Sequence, residues 1–372
     1  MRKLLLLIVL LLGNHVIMNG NTFIKGRNTN KLTMVIGTYT GGGSKGIYTY
    51  RLDQSTGKSI PLSSVTVPNP SYLIPSKDER FIYAVSEMPD STAALNAYII
   101  DKSTGHLKLI NRRLTQGEDP CYVSTNGHEV ITANYTGGSM SVFPLRKDGG
   151  LNPIISQFHG HLGGPDATRQ NTPHIHCVRF SPDGKYLFAS DFSADQILRF
   201  RIASDKVKLL PLDHPIAIDT NSGPRHLIFS SDGRFAYLIS ELSGNVTVFR
   251  YINGNLKRVQ VITADVHHAR GSADIHISPD GKFLYASNRL KNDGIAIFSR
   301  NQLTGRLSWI GYQNTGIHPR NFNITPNGKF LLVACRDSNE IQIYNRNPHT
   351  GLLTDTRQSI RISKPVCIQF IK

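Results

Sequence analysis

The chain is short of acidic residues, of paired cysteines and of long apolar runs, and each shortage excludes a class of protein. Its 372 residues hold 26 Asp and Glu against 42 Lys and Arg, a formal charge of +16. No basic run exceeds a pair such as Arg112-Arg113, so the excess is not a nucleic-acid-binding tail. It is a solvated basic surface or a locally positive pocket for an anionic substrate. The cysteines Cys121, Cys177, Cys335 and Cys367 are far apart and make no C-x-x-C pair, which excludes the common zinc and thioredoxin-type motifs. Each sits in an apolar, strand-like run, the place of a buried free thiol. The longest apolar run, Leu4 to Leu12, is under half the roughly 20 residues that span a bilayer.

That run follows Met1-Arg2-Lys3 and precedes Gly13-Asn14, a basic n-region and an apolar h-region in the pattern of a secretory signal peptide. The expectation is a signal over residues 1–20, a linker over 21–31, export to the periplasm or the exterior, and no stable membrane span after cleavage. No Ala-x-Ala site marks the cut, and no Cys lies near the segment's end to carry a lipid.

What the chain has is turn formers between short apolar stretches: 32 Gly and 19 Pro, with 14 Tyr, 16 Phe and 39% hydrophobic residues overall. This excludes disorder and collagen and favours many short strands over long helices. A unit recurs in which Pro and a short apolar run lead to Ser-Pro-Asp-Gly, a basic-aromatic pair and a second apolar strand. The clearest copies are Phe180 to Ser190, Phe229 to Ser240, Ile277 to Ser287 and Ile324 to Ala334, with weaker ones near Asn69-Pro70 and Asp119-Pro120. Pro70, Pro120, Pro173, Pro224, Pro319 and Pro365 recur about 50 residues apart, with Ala273 in the one skipped copy, which is propeller spacing.

The Asp-Gly and Asn-Gly pairs predict tight hairpins. Alternating phrases such as Asn245 to Phe249 and Gly294 to Phe298 predict third strands, and Thr-Gly-x-Leu turns at Leu107, Leu307 and Leu353 lead to outer edge strands. Six full units are visible. The first segment, Leu32 to Leu62, lacks an opening strand and the last, Lys364 to Ile371, is only an opening strand. The expected fold is therefore all-β, a single seven-bladed β-propeller over residues 32–372, closed by N- and C-terminal strands in one blade. Asn152 to Thr172, rich in Gly, His and polar residues, reads as a long loop.

The repeat lets positions be compared. Five residues before the turn Ser or Thr stand His176, Arg225, Ala273 and Arg320; eleven after it stand Phe192, Glu241, Arg289 and Arg336, with Glu87 and Tyr135 in the weaker copies. Antiparallel pairing puts both sets at the end of the blades opposite the hairpins. Charged and aromatic residues vary there while the flanking strands keep their pattern, which points to a pocket at the channel mouth.

Pro173-His-Ile-His176, Gly223-Pro-Arg-His226 with Ser240-Glu241, Ala273-Asp-Ile-His276 with Ser287-Asn-Arg289, and Pro319-Arg-Asn-Phe322 resemble the seven-bladed lactonase family that includes propeller-type 6-phosphogluconolactonase and carboxymuconate lactonizing enzyme. The likeness covers about residues 32 to 372. It implies an acid-base pair at His176 and Glu241, with Arg225 and Arg289 holding the anion; His174, Arg320, Glu87 and Tyr135 are the accompanying substrate-binding candidates. The expected activity is hydrolysis of an anionic sugar lactone or carboxylated lactone without metal or cofactor. The reverse lactonization, or an exported propeller that binds its ligand without turnover, stays open. A small-molecule partner is expected, and no nucleic acid.

Three other motifs are weaker. Gly42-Gly-Ser-Lys-Gly46 matches G-x-S-x-G, but no helical period follows, so Ser44 reads as a loop residue. Gly57-Lys-Ser59 lacks the upstream Gly of a P-loop. Asp274 and His276 share a strand face and read as a hydrogen-bonded brace of the inner ring.

Overall fold

The computed structural model describes residues 30–203, 206–211 and 214–372; the expected signal and most of the linker lie outside them. The repeated turn explains its own sequence. Ser181 Oγ donates to Asp183 Oδ1 at 2.6 Å and accepts the Tyr186 N–H at 3.0 Å, and Ser230, Ser278 and Thr325 do the same for Asp232 and Phe235, Asp280 and Phe283, and Asn327 and Phe330. The side chains thus satisfy backbone groups that the reversal leaves unpaired, and the glycine follows at φ 68–72°, where other residues are strained.

Each hairpin joins an inner strand to a second strand, and seven sheets result. Blade 5 is typical, with its inner strand at Pro224–Phe229, then Phe235–Ser240, Asn245–Ile252 and Asn255–Thr263; blade 4, with its inner strand at Ile175–Phe180, adds Ile216–Ala217 as a fifth strand. Leu107, Leu307 and Leu353 open the outer strands of blades 2, 6 and 7, as the Thr-Gly-x-Leu turns predict. Among the described residues there is no helix, and so none long and apolar enough to cross a membrane.

Blade 1 takes its inner strand from the far end of the chain. Pro365–Ile371 pairs antiparallel with Lys31–Thr38, matching Thr33 with Ile371 and Gly37 with Cys367, and Gly46–Asp53 and Ser59–Thr66 complete the sheet. The core divides the same way. Seven apolar clusters fill the seven blade interfaces. Phe330, Leu332 and Ile341 of blade 7, for example, meet Met34, Ile36 and Ile368 of blade 1, while Val35, Cys367 and Ile371 meet Leu73 and Ile82 of blade 2. The four cysteines are buried and unpaired.

One expectation is corrected. Part of the stretch read as a long loop, Ser156–His159, is the outer strand of blade 3; residues 152–155 before it and 160–174 after it are loop. An outer strand has a single face to bury, and here Phe158, packed on Phe200 at 5.3 Å, is its apolar anchor. Ser44 lies between two strands, its hydroxyl 2.6 Å from that of Thr38, with no helix following.

Deleting residues 364–372 removes a strand that serves two interfaces. The truncated protein should lose monomeric solubility or melt at least about 10 °C below the parent in a thermal scan; an unchanged melting point would show that the ring does not depend on this closure.

Candidate active site

At the face opposite the hairpins, the inner strands share a defect. Pairing with the second strand slips between Pro120 and Tyr122, Ile175 and Cys177, Pro224 and His226, Pro319 and Asn321, and over a longer unpaired stretch between Ser272 and Ile275. The residues left over are Cys121, His176, Arg225, Arg320, and Ala273 with Asp274. Such a bulge frees one residue from the ladder and re-aims its side chain, here toward the channel axis. In blade 1 the slip leaves Val366 over.

A second ring surrounds the first. Tyr39, Glu87, Tyr135, Phe192, Glu241, Arg289 and Arg336 each donate the backbone N–H to a carbonyl of the segment before an inner strand: Lys364, Asn69, Asp119, His174, Gly223, Gly271 and His318, at 2.8–3.2 Å. Tyr39 was not a candidate from the sequence, because its blade is split between the termini; joining them would have found it.

Glu241 is the centre of charge. Its Oε1 accepts from Arg169 Nη2 at 2.6 Å, and its Oε2 from Arg225 Nε at 2.8 Å with Arg289 Nη2 at 3.1 Å. Burial alone would raise its pKa, but Arg289, Arg225 and Arg169 outweigh that and hold the carboxyl well below its usual range. The structure does not join Glu241 to His176. Both oxygens are occupied by guanidiniums, so Glu241 is a fixed anion that positions cations, and the expected His176–Glu241 contact is absent among the described residues.

Two histidines serve the arginines. Arg225 Nη1 can only donate, so His226 Nε2, at 3.2 Å, accepts; the His226 proton sits on Nδ1 and goes to Asp274 Oδ1 at 2.9 Å. Burial and Arg225 lower the His226 pKa to about 4. Arg289 Nη1 and His318 Nε2 repeat the arrangement at 3.2 Å, with His318 Nδ1 3.5 Å from Asp337. Asp274 also receives His276 Nε2 at 3.0 Å and the Asn321 amide, and so braces three blades as its strand position suggests.

His176 is different. Its Nδ1 faces the Cys121 thiol at 3.7 Å, and Nε2 has no hydrogen bond from a described residue. Its ring lies edge-on to Tyr135 and His226, at 5.4 and 5.3 Å. Burial, then Arg225, His226 and Arg320, lower its pKa well below 6.5, so it is neutral at pH 7. His174 donates Nδ1–H to the Tyr135 carbonyl at 2.8 Å and stacks on the Tyr135 ring at 4.1 Å, which places that ring between the two histidines.

Arg320 is the least satisfied cation. It makes no hydrogen bond to a described residue; Glu87 Oε1 lies 3.8 Å away and the Tyr39 ring 5.5 Å. Glu87 is already engaged by the hydroxyls of Tyr39, at 2.8 Å, and Ser71. The Arg320 side chain lines a small central cavity with Ser71, Cys121, Arg225, His226 and Val366.

Arg169 is the residue that repeat comparison missed altogether. It comes from the loop 160–174, which Gln170 pins to blade 4 through Phe192 O and Asp195, at 2.8 and 2.9 Å, and Asp166 ties to Arg270 of blade 6. The Arg169 guanidinium lies over Phe192 at 5.6 Å. Four guanidiniums, Arg169, Arg225, Arg289 and Arg320, thus surround Glu241 and Glu87, with Asp274 beneath. The cations remain in excess, and this shows in Arg289, which burial and the neighbouring arginines pull down to about 9 despite Glu241.

The family described as "Lactonase, 7-bladed beta-propeller" matches residues 33–370. A 6-phosphogluconolactonase of Bacillus subtilis strain 168 is 34% identical over 346 residues, covering 90% of this chain and 97% of that protein. A solved structure from Bacteroides uniformis, a 6-phosphogluconolactonase candidate by name, is 63% identical with a TM-score of 0.91, covering 92% of this chain and all of that one. The periplasmic gluconolactonase PpgL of Pseudomonas aeruginosa is 33% identical with a TM-score of 0.87, covering 92% and 99%.

Glu241→Gln would leave two buried guanidiniums, Arg225 and Arg289, without their anion, and removing one partner of a buried pair costs about 3–5 kcal/mol. A carboxyl whose pKa is depressed by folding contributes stability above its unfolded value, about 4.3, and loses that contribution as pH falls. Urea unfolding should therefore show the variant less stable by about that amount at pH 7, with the gap closing below about pH 4. A gap that did not change with pH would mean that the carboxylate charge is not what the arginines need.

Proposed function

The chain belongs to the seven-bladed β-propeller lactonase family, and from that membership we propose that it hydrolyses a lactone bearing a negatively charged group. The single observation that supports the anionic substrate is Arg320, a cation at the cavity wall with five N–H donors and no hydrogen bond to a described residue. A phosphate or carboxylate would complete it with paired, charge-assisted hydrogen bonds.

The chemistry then follows from what is fixed and what is free. His176 is neutral, with an uncommitted Nε2, and takes a proton from water as the water oxygen attacks the lactone carbonyl carbon. The oxygen that becomes negative is stabilised by Arg225 and Arg289, held in place by Glu241 and by the His226 and His318 relays. When the intermediate collapses, the ring ester bond breaks and His176 returns the proton to the leaving oxygen, yielding a hydroxy acid. His226 cannot do this work, since both of its nitrogens are engaged. Tyr135 and His174 form one wall of the site, and Glu87, near Arg320, is an acceptor for a substrate hydroxyl.

We also propose that the protein is exported. The Arg2-Lys3 and Leu4 to Leu12 pattern supports this, as does the periplasmic name of the Pseudomonas relative.

Proton release should be followed on 6-phosphogluconolactone and on uncharged gluconolactone. Arg320→Gln should lower kcat/KM on the phosphorylated lactone by about ten- to a hundredfold, the worth of hydrogen bonds to a charged group, and change the neutral lactone little. Equal losses on both would remove the anion from the reading. His176→Ala should abolish turnover of both. Because the base is active when unprotonated and its pKa is depressed, the parent rate should hold through pH 6.5 and fall only in more acid solution; an acid limb centred at 6.5 or above would rule out a buried His176 as the base.

A further inference from the structure

A second cleft, on the hairpin face, holds a cation that no carboxylate completes, Tyr122 being its hydrogen-bond partner. Arg179 stands near the end of the blade 4 inner strand, in a cleft bounded by the apolar Ile74, Val123 and Phe180, the Ser124 hydroxyl and, exposed, Lys77. No carboxylate is among the cleft's lining residues, and none lies within ion-pair distance of Arg179 or Lys77 among the described residues.

What surrounds Arg179 is neutral. Its principal electrostatic neighbours are the phenols of Tyr122 and Tyr72, stacked on each other at 4.2 Å, and the Cys177 thiol. Burial raises all three acids above their usual range, so none supplies a negative charge at pH 7. The adjoining cleft over residues 76–83 and 125–149 shares Lys77 and is also basic, but both of its arginines are paired, Arg80 with Asp78 at 2.6 Å and Arg146 with Asp148 at 3.0 Å. Arg179 is half-buried, and withdrawing a guanidinium from water is costly unless an opposite charge completes it. Here the opposite charge has an open approach, a second cation beside it and apolar walls around it.

We propose that this hairpin-side cleft binds a small organic anion, a phosphate or carboxylate carried on a compact apolar body, gripped by Arg179 and Lys77 with the apolar part against Ile74, Val123 and Phe180. The site is separate from the lactone site and does not depend on lactone turnover.

The test is calorimetric titration of the full chain with phenyl phosphate. The parent should bind two equivalents, one at each site, and Arg179→Gln and Arg320→Gln one each. Lys77→Glu, an exposed substitution that leaves the packing untouched, should weaken the hairpin-side site at least about tenfold while lactone turnover stays at the parent level. Inorganic phosphate, lacking the ring, should bind the same site at least about tenfold more weakly; equal affinity would overturn the organic body. An Arg320→Gln protein that bound no phenyl phosphate, or whose remaining site ignored Lys77→Glu, would overturn the proposal and leave the lactonase reading intact. Two equivalents bound to Arg320→Gln but one to Arg179→Gln would do the reverse, removing Arg320 as the anion receptor and keeping this site.

Discussion

Everything at the channel mouth depends on the ring being closed. Seven interfaces need seven apolar fillings, and two of the seven clusters include residues of Pro365–Ile371, which also supplies blade 1 with its inner strand. Closure fixes the number of blades, and with it the distance across the axis. Side chains from opposite ends of the chain, such as Arg320 of blade 7 and Glu87 of blade 2, then come within 3.8 Å of each other across the closing blade. An open array would have the same strands and turns but would not set that distance, and its two end blades would expose apolar faces.

Within this frame the site is built by satisfying groups selectively. Glu241, His226, His318 and Asp274 are fully occupied, and each fixes a neighbour. His176 Nε2 and the Arg320 guanidinium are left with capacity to spare. A buried polar group without a partner costs free energy. Two such groups in one ring of bulge residues, one a base and one a cation, mark where a ligand completes the structure.

The fold was legible because its determinants are local and repeated. Ser-Pro-Asp-Gly specifies its own turn through bonds that span five residues, and Thr-Gly-x-Leu opens an outer strand where predicted. Ring membership was legible by counting from the turn, which found His176, Arg225, Arg320, Glu241 and Arg289. What could not be counted was partnership. Whether Glu241 faces a histidine or three arginines depends on blade curvature and on Arg169, which comes from a loop that no repeat aligns. Tyr39 escaped because its blade is divided between the two ends of the chain, and Ser156–His159 because an edge strand needs few apolar residues.

The bulges separate two kinds of inheritance. A residue outside the ladder makes no pairing of its own, so Cys121, His176, Arg225, Arg320 and Val366 hold one structural position with four different side-chain chemistries. Substitution at His176, Arg225, Arg320 or Val366, none of which belongs to an interface cluster, leaves the hairpin and the apolar filling between blades as they were. A descendant can therefore exchange the chemistry of its mouth one blade at a time, without first losing the architecture that carries it. A fold of this kind is suited to diversify among small ligands by changes of single residues, because the turns and the closing strand's pairing that set its shape lie outside the mouth.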